Sequence, residues 1–271
     1  MRAVFLFLLL VMIACSSQKT TGSKKNPPGT IRINDTLFVD EAEISNVAWR
    51  EYEAYIRDFN QDGEVFQSRS VILPDTLVWN NNKTFSEPLS EFYFRHPGFN
   101  DYPIVGITYE QAIEFCKWRT HAVNQLIYFR EKGIKGEETM KHLKDSFPTR
   151  IVYRLLSEKE WEMVADKSPD SLFDKKGRRK FNTKEEILAQ LERDRHYDNS
   201  VLYTRNVISY YPNSFKLYNL FGNVAEMVAE EGVAKGGSFE QPFDSCRIEY
   251  RQYYTQPEKW LGFRCAAVIR K

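Results

Sequence analysis

The sequence predicts an α+β domain, compact and irregular, and three observations predict it. Short apolar runs alternate with turn signals such as Pro212-Asn213 and Gly236-Gly237, with no repeating βα pattern. Two capping boxes, Thr108 to Gln111 and Ser157 to Glu160, each open a helix. An aromatic content of 14% gives residues 31–271 the material for one rich core.

The elements follow in order. Met1-Arg2 and the apolar run from Ala3 to Ala14 read as a signal peptide over residues 1–14, too short to span a bilayer as a mature helix. Val11-Met-Ile-Ala-Cys15 resembles a bacterial lipobox, with Met12 where leucine is usual. That resemblance implies cleavage before Cys15 and acylation of its sulfur, which anchors a water-soluble domain to the membrane. Residues 15–30 are polar and rich in Gly and Pro, and read as a flexible tether.

Ile31 to Val39 suggests a strand pair joined at Asn34-Asp35. Ser45 caps a helix whose apolar stripe is Ala48, Tyr52, Tyr55, Ile56 and Phe59, stopping at Asn60-Gln-Asp-Gly63. Residues 60–103 read as loop-rich. A short strand from Pro103 then leads to the Thr108 helix, lined by Ala112, Phe115, Cys116 and Arg119 and continuing through Val123, Leu126 and Ile127. Residues 128–148 are charged and read as a surface excursion. The Ser157 helix carries Trp161, Val164 and Ala165, and Thr183 opens a further charged helix to about Asp194.

Charge and motif content exclude several functions. Lysine plus arginine (38) and aspartate plus glutamate (37) nearly cancel, so no global field attracts nucleic acid. There is no phosphate-binding glycine loop, His-Glu-x-x-His helix or GxSxG elbow. His96, His121, His142 and His196 lack metal-ligand spacing and read as surface residues. Arg247 and Arg251, four apart, suit ion pairs with Glu249 or Glu226.

Five separated blocks resemble, in order, the formylglycine-generating enzyme (sulfatase-modifying factor) family. They are Phe38-Val-Asp-Glu-Ala-Glu-Ile-Ser-Asn46, the segment Pro103 to Trp118, Arg154-Leu-Leu-Ser-Glu-Lys-Glu-Trp-Glu162, Leu217-Tyr-Asn-Leu-Phe-Gly-Asn-Val-Ala-Glu226, and Gly236-Gly-Ser238 through Gly262-Phe-Arg-Cys-Ala266. The resemblance implies that family's fold, related to the C-type lectin fold, with insertions near 120–150 and 170–195. It also places Cys116 and Cys265 on two cysteines that members often join. Two buried thiols are the alternative.

Catalysis in the family needs two cysteines five residues apart after Gly-Gly-Ser, which bind copper(I) through soft thiolates. Here Cys246 falls on the second position and Gln241 on the first, or Cys246 misses both, depending on the anchor; either way one thiol remains. Ala225 and Met227 also replace family tryptophans. The resemblance therefore implies neither copper binding nor formylglycine synthesis, with Cys246 and Ser238 as the remaining catalytic candidates. Asn219, Gly222, Val224 and Glu226 fall on a calcium site of the family, whose hard oxygen donors suit that ion; a metal-free turn bonded by Asn219 and Glu226 is the alternative.

Within the family, Cys116-Lys-Trp-Arg-Thr-His-Ala-Val-Asn124 with a long insertion before Arg154 resembles a non-catalytic branch of Bacteroidota gliding-motility and type IX secretion lipoproteins. The expectation is a lipid-anchored interaction or structural module on the periplasmic side of the outer membrane, with protein partners in an envelope assembly. Two other classes stand beside it: an oxidoreductase using Cys246, and a calcium-dependent carbohydrate-binding protein stacking sugars on Trp260 or Tyr253-Tyr254.

Overall fold

Asn34 turns the chain by accepting the Thr36 and Leu37 amides on its side-chain oxygen, both at 2.9 Å, an Asx turn that fixes the register of the flanking strands. In the computed structural model, which describes residues 26–59, 72–80, 87–165, 181–184, 187 and 203–270, β1 (Thr30–Arg32) and β2 (Leu37–Asp40) pair antiparallel through this turn. A four-stranded sheet follows in the order β1-β2-β8-β3, with β3 at Ile151–Leu155 and β8 at Cys265–Ile269.

Both faces of that sheet are covered, so β2 is buried at every position. Because successive side chains point to opposite faces, Phe38, Cys265 and Ala267 join one core cluster while Leu37, Val39 and Ala266 join another. Two helices cover the first face. α1 (Asn46–Phe59) starts where the Ala48 amide donates to Ser45 Oγ at 3.4 Å, and buries Trp49, Tyr52, Tyr55 and Ile56 along one stripe. Glu87–Phe92 forms the short α2. α3 (Tyr109–Lys132) opens on the full Thr108–Gln111 capping box and stops at Gly133. Trp49 stacks on Phe115 with ring centroids 5.4 Å apart, locking α1 to α3.

Asn124 ties α3 to β3. Its Nδ2 donates to the Ile151 carbonyl at 2.7 Å, and its Oδ1 accepts the Arg150 and Ile151 amides at 2.7 and 3.1 Å. On the second face, α4 (Glu158–Ala165) opens on the Ser157–Glu160 box, with Trp161, Val164 and Ala165 buried. A second small sheet, β6-β5-β4-β7, comprises β4 (Ala225–Met227), β5 (Val233–Lys235), β6 (Gln252–Tyr253) and β7 (Leu261–Gly262).

Several expectations change. The strand from Pro103 is a single bridge to Ser45, because the chain bonds to different segments in turn: Ile104 to the Ile44 carbonyl, Gly106 to Glu258 on one side and Asp75 on the other. No continuous ladder can form across three partners. Within 60–103, 3-10 turns occupy Thr76–Trp79 and Pro97–Phe99. The 128–148 excursion begins as the last turn of α3, buries Phe129 and Thr139, and carries a 3-10 segment at Gly136–His142. The signal peptide, residues 15–25 of the tether, the Asn60 stop and most of 170–195 lie outside the described residues; from Asn26 on, the stretch read as tether is instead bonded to the domain, with Pro27 buried, the Pro28 carbonyl accepting from Arg119 at 2.9 Å and Thr30 opening β1. Of the Thr183 helix, Lys184 and Ile187 are described as helical, the Ile187 amide bonding back to the Thr183 carbonyl at 3.0 Å.

Candidate functional site

The C-terminal blocks fold into a buried polar network. The turn before β4 runs through left-handed Asn219 (φ 50), Gly222 (φ 73) and Asn223 (φ 60). Glycine is required at 222, since a Cβ there would lie 2.4 Å from the Asn182 carbonyl oxygen. The turn delivers Glu226 to the middle of β4, where both its oxygens accept from Arg264 Nε at 2.8 Å. Arg264 Nη2 adds a bond to Oε1 at 2.5 Å and one to the Tyr218 carbonyl at 2.6 Å, while Nη1 donates to the Asp40 carbonyl at 3.2 Å. Trp161 Nε1 completes the shell of Glu226 at 2.9 Å. Arg264 and Glu226 are 0% and 1% exposed, so the pair survives burial only because its donors and acceptors are satisfied.

Glu43 sits beside this pair. Its two oxygens accept from Asn219 Nδ2 at 3.1 Å and Asn223 Nδ2 at 2.8 Å. Burial pushes its carboxyl up to about 8; the Arg264 guanidinium opposes that, Glu226 reinforces it, and the two amides pull back. Arg264, Glu43 and Asn223 were not singled out from sequence, although all three lie within blocks that carry the family resemblance.

Of the four residues assigned to calcium, Glu226 and Asn219 are engaged by protein groups through their side chains. Glu226, the one carboxylate of the set, is neutralised by Arg264, and a divalent cation there would face a buried guanidinium. Asn219 turns its amide nitrogen toward Glu43 and toward the Asn206 and Val207 carbonyls, at 3.3 and 3.0 Å. Calcium takes six to eight oxygens. These bonds hold the turn through protein groups.

Around the Gly-Gly-Ser loop, Ser238 is fully buried, donates from Oγ to Gln241 Oε1 at 2.7 Å, and accepts the Glu240 amide at 3.2 Å. Gln241 thus holds the serine that the catalytic reading left available. Cys246 is 4% exposed in an apolar cluster with Leu37, Trp161 and Phe221. Gly237 makes room for it: a Cβ at 237 would lie 2.6 Å from Cys246 Sγ. Cys116 and Cys265 belong to the other cluster, as two thiols with sulfurs 3.6 Å apart. Burial holds the Cys265 thiol well above its ordinary value.

The arginines do not pair as expected. Arg251 forms a two-bond pair with Glu158, both at 2.6 Å, and Arg247 reaches Asp244 at 3.3 Å; neither is bonded to Glu249 or Glu226. The fully buried Lys235 joins the Arg251 pair through Glu158 at 3.2 Å and reaches Glu162 at 2.8 Å, a cluster whose acids were visible only as helix-opening residues. His121 is half-buried, its ring near Phe147 and Tyr55. Tyr253 is 71% exposed, whereas Trp260 packs partly buried against the core.

Comparison with known proteins follows from this geometry. The chain is similar to CarF at 16% identity and a TM-score of 0.51, over 89% of this chain and 96% of that one. It also aligns with PvdO from Pseudomonas aeruginosa (16% identity, TM-score 0.47, 86% of this chain and 80% of that one) and with Treponema denticola variable protein 1 (15%, 0.47, 93% and 98%). At such identities the likeness concerns fold alone. No curated protein matches. The profile of the Sulfatase-modifying factor enzyme 1-like domain matches residues 10–269. With nearly the whole chain covered, and with mixed helices and two small sheets in the formylglycine-generating-enzyme arrangement, the protein belongs to the sulfatase-modifying factor family.

Proposed function

We propose that this protein is a catalytically inactive member of its family, a lipid-anchored interaction or structural module of the outer membrane within a gliding-motility or type IX secretion assembly. The observation that carries the loss of catalysis is the fate of the cysteine pair: whichever anchor is used, Cys246 is the one thiol of that segment and it is buried, while Gln241 bonds Ser238. One thiolate cannot make the two-sulfur copper(I) site. The same loop therefore serves as scaffold.

The lipobox at Cys15 supports the anchor and an exported location. In such a compartment the 3.6 Å approach of Cys116 and Cys265 lets the two thiols close into a disulfide. The charged surface of 120–150, including the exposed Glu137, Glu138 and Lys141, is the offered partner surface among the described residues. Palmitate labelling and affinity purification from native membranes test this reading. Labelling lost in Cys15→Ala, with a reproducible set of envelope components recovered, is the expected outcome; an unlabelled chain in the soluble fraction with no stable partner contradicts it.

The Arg264–Glu226 pair further supports a scaffold that needs no metal. Calcium at a hundred times its Kd would add about 2.7 kcal/mol of stability. Adding calcium or chelator is expected to leave Tm unchanged, and a rise of several degrees with calcium would reinstate the oxygen site and the calcium-dependent carbohydrate reading.

A further inference from the structure

The chain enters the domain at a fixed point. The Pro28 carbonyl accepts from Arg119 Nη2 at 2.9 Å and from the Tyr153 hydroxyl at 3.0 Å, and Thr30 Oγ1 donates back to the Pro27 carbonyl at 2.7 Å. Arg119 is itself held by Asp40 at 2.6 and 2.8 Å and lies over the Tyr153 ring, 4.3 Å from its centroid. Pro28 and Gly29 line a cavity of about 280 Å³ together with Ile208 and with Val123 and Leu126 of α3.

Ile208 begins an exposed apolar loop: it is 57% exposed, Tyr210 36% and Tyr211 71%. Both feet of the loop are tied down. The Val207 amide donates to the Asp101 carbonyl and the Ile208 amide to Asn206 Oδ1, each at 2.8 Å. At the other end Asn213 Oδ1 accepts the Phe215 and Leu217 amides and its Nδ2 donates to the Val164 carbonyl, all at 3.0 Å. Between the feet Tyr210 takes a left-handed backbone (φ 63), which a bulky residue adopts only where its surroundings impose it. The exposure of these side chains is therefore built into the fold.

The place of the loop says what meets it. With lipid on Cys15, the eleven residues 15–25 span at most about 40 Å, against about 45 Å for the diameter of a domain of this size. The face at which the chain enters is then the face turned to the bilayer, and Ile208 is on it. Tyrosine suits that position, with an apolar ring for the acyl boundary and a hydroxyl for the headgroups. No basic cluster directs the contact to anionic lipid: Arg119, the one cation lining the cavity, is committed to Asp40, and Glu41 and Glu51 lie on the same wall. Among the described residues no helix is long and apolar enough to cross a membrane.

We propose that the loop from Ile208 to Tyr211 is an interfacial membrane contact, its side chains seated among the headgroups and upper acyl chains of a zwitterionic bilayer, which fixes the orientation of the domain on its anchor. The proposal rests on the lipid anchor at Cys15 and deepens it.

Site-specific quenching in vesicles tests it. Cys116, Cys246 and Cys265 are buried, so an acylated chain offers a thiol-reactive fluorophore no site until Tyr211→Cys supplies one. Tyr253→Cys, equally exposed at 71% but on β6 and outside the cavity lining, is the control. The full chain is reconstituted into phosphatidylcholine vesicles whose lipids are brominated near the headgroup end of the acyl chain. The label at 211 is expected to be quenched at least about twofold more than the label at 253, and to stay so in about 0.5 M salt. Ile208→Glu should bring the label at 211 down to the control, with an unchanged melting curve showing that the variant folds. A native chain that takes up label at Cys15, or that fails to float with the vesicles, overturns the anchor and this contact with it. A chain that floats and stays unlabelled, yet whose variants are quenched equally at 211 and 253 or lose the quenching at 211 in high salt, overturns the contact alone.

Discussion

Replacing Arg264 by methionine is expected to destabilise the fold by about 3–5 kcal/mol, because it strands a buried carboxylate. Glu226 would keep the Trp161 indole bond but lose the guanidinium that neutralises it. The Asp40 and Tyr218 carbonyls, which tie β2 and the 217–224 loop to the start of β8, would lose their donors as well. The cost thus falls on three segments at once. The double variant Arg264→Met with Glu226→Gln removes both charges and should recover part of the loss, as buried pairs replaced together generally do. Equilibrium urea unfolding measures both, and a single-variant loss under about 1 kcal/mol would show that the pair does not hold the C-terminal blocks together.

Stability is also expected to fall as pH rises from about 5 to 8, through Glu43. Its folded carboxyl is raised from the ordinary 4.5 to about 8. Between those values the folded protein retains a proton that the unfolded chain has released. The stabilisation is therefore complete below the unfolded value and is lost as pH rises through the folded one, at up to about 1.4 kcal/mol per pH unit. Glu51, pushed up to about 7, slopes the same way over a narrower range. Glu43→Gln removes the larger contribution, so its stability should be visibly flatter across this window even if lower at pH 5, where an amide cannot accept from both Asn219 and Asn223. Urea unfolding at pH 5, 6, 7 and 8 decides it, and a variant that keeps the native slope would place the titration elsewhere.

The legible parts of this molecule were those encoded by neighbours in sequence. Both capping boxes formed as read, because a box is a contract between residues three apart. The Asn34 turn and the Ser45 cap are local in the same sense. The segment from Pro103 misled because its apolar run is equally suited to a strand or to a buried connection, and three distant backbones chose the latter.

The site divided along the same line. The absence of a second cysteine near Cys246 could be read directly, whereas the neutralisation of Glu226 could not. Arg264 lies 38 residues from Glu226, and Asn219 is 176 residues from Glu43. Nothing local announces either pairing. The ion-pair role of Arg251 was legible as chemistry, but its partner Glu158 is 93 residues away and was masked by its position in a capping box.

The central claim is that the family's scaffold persists without its chemistry, and aldehyde formation tests it most directly. The purified chain, loaded with copper(I) under air, would be incubated with a cysteine-containing sulfatase peptide and the product read by mass spectrometry and hydrazide capture. No aldehyde above the protein-free control is predicted, for the native chain and for Cys246→Ser alike. Stoichiometric aldehyde that disappears in Cys246→Ser would contradict the account and make Cys246 the working nucleophile of an oxidoreductase.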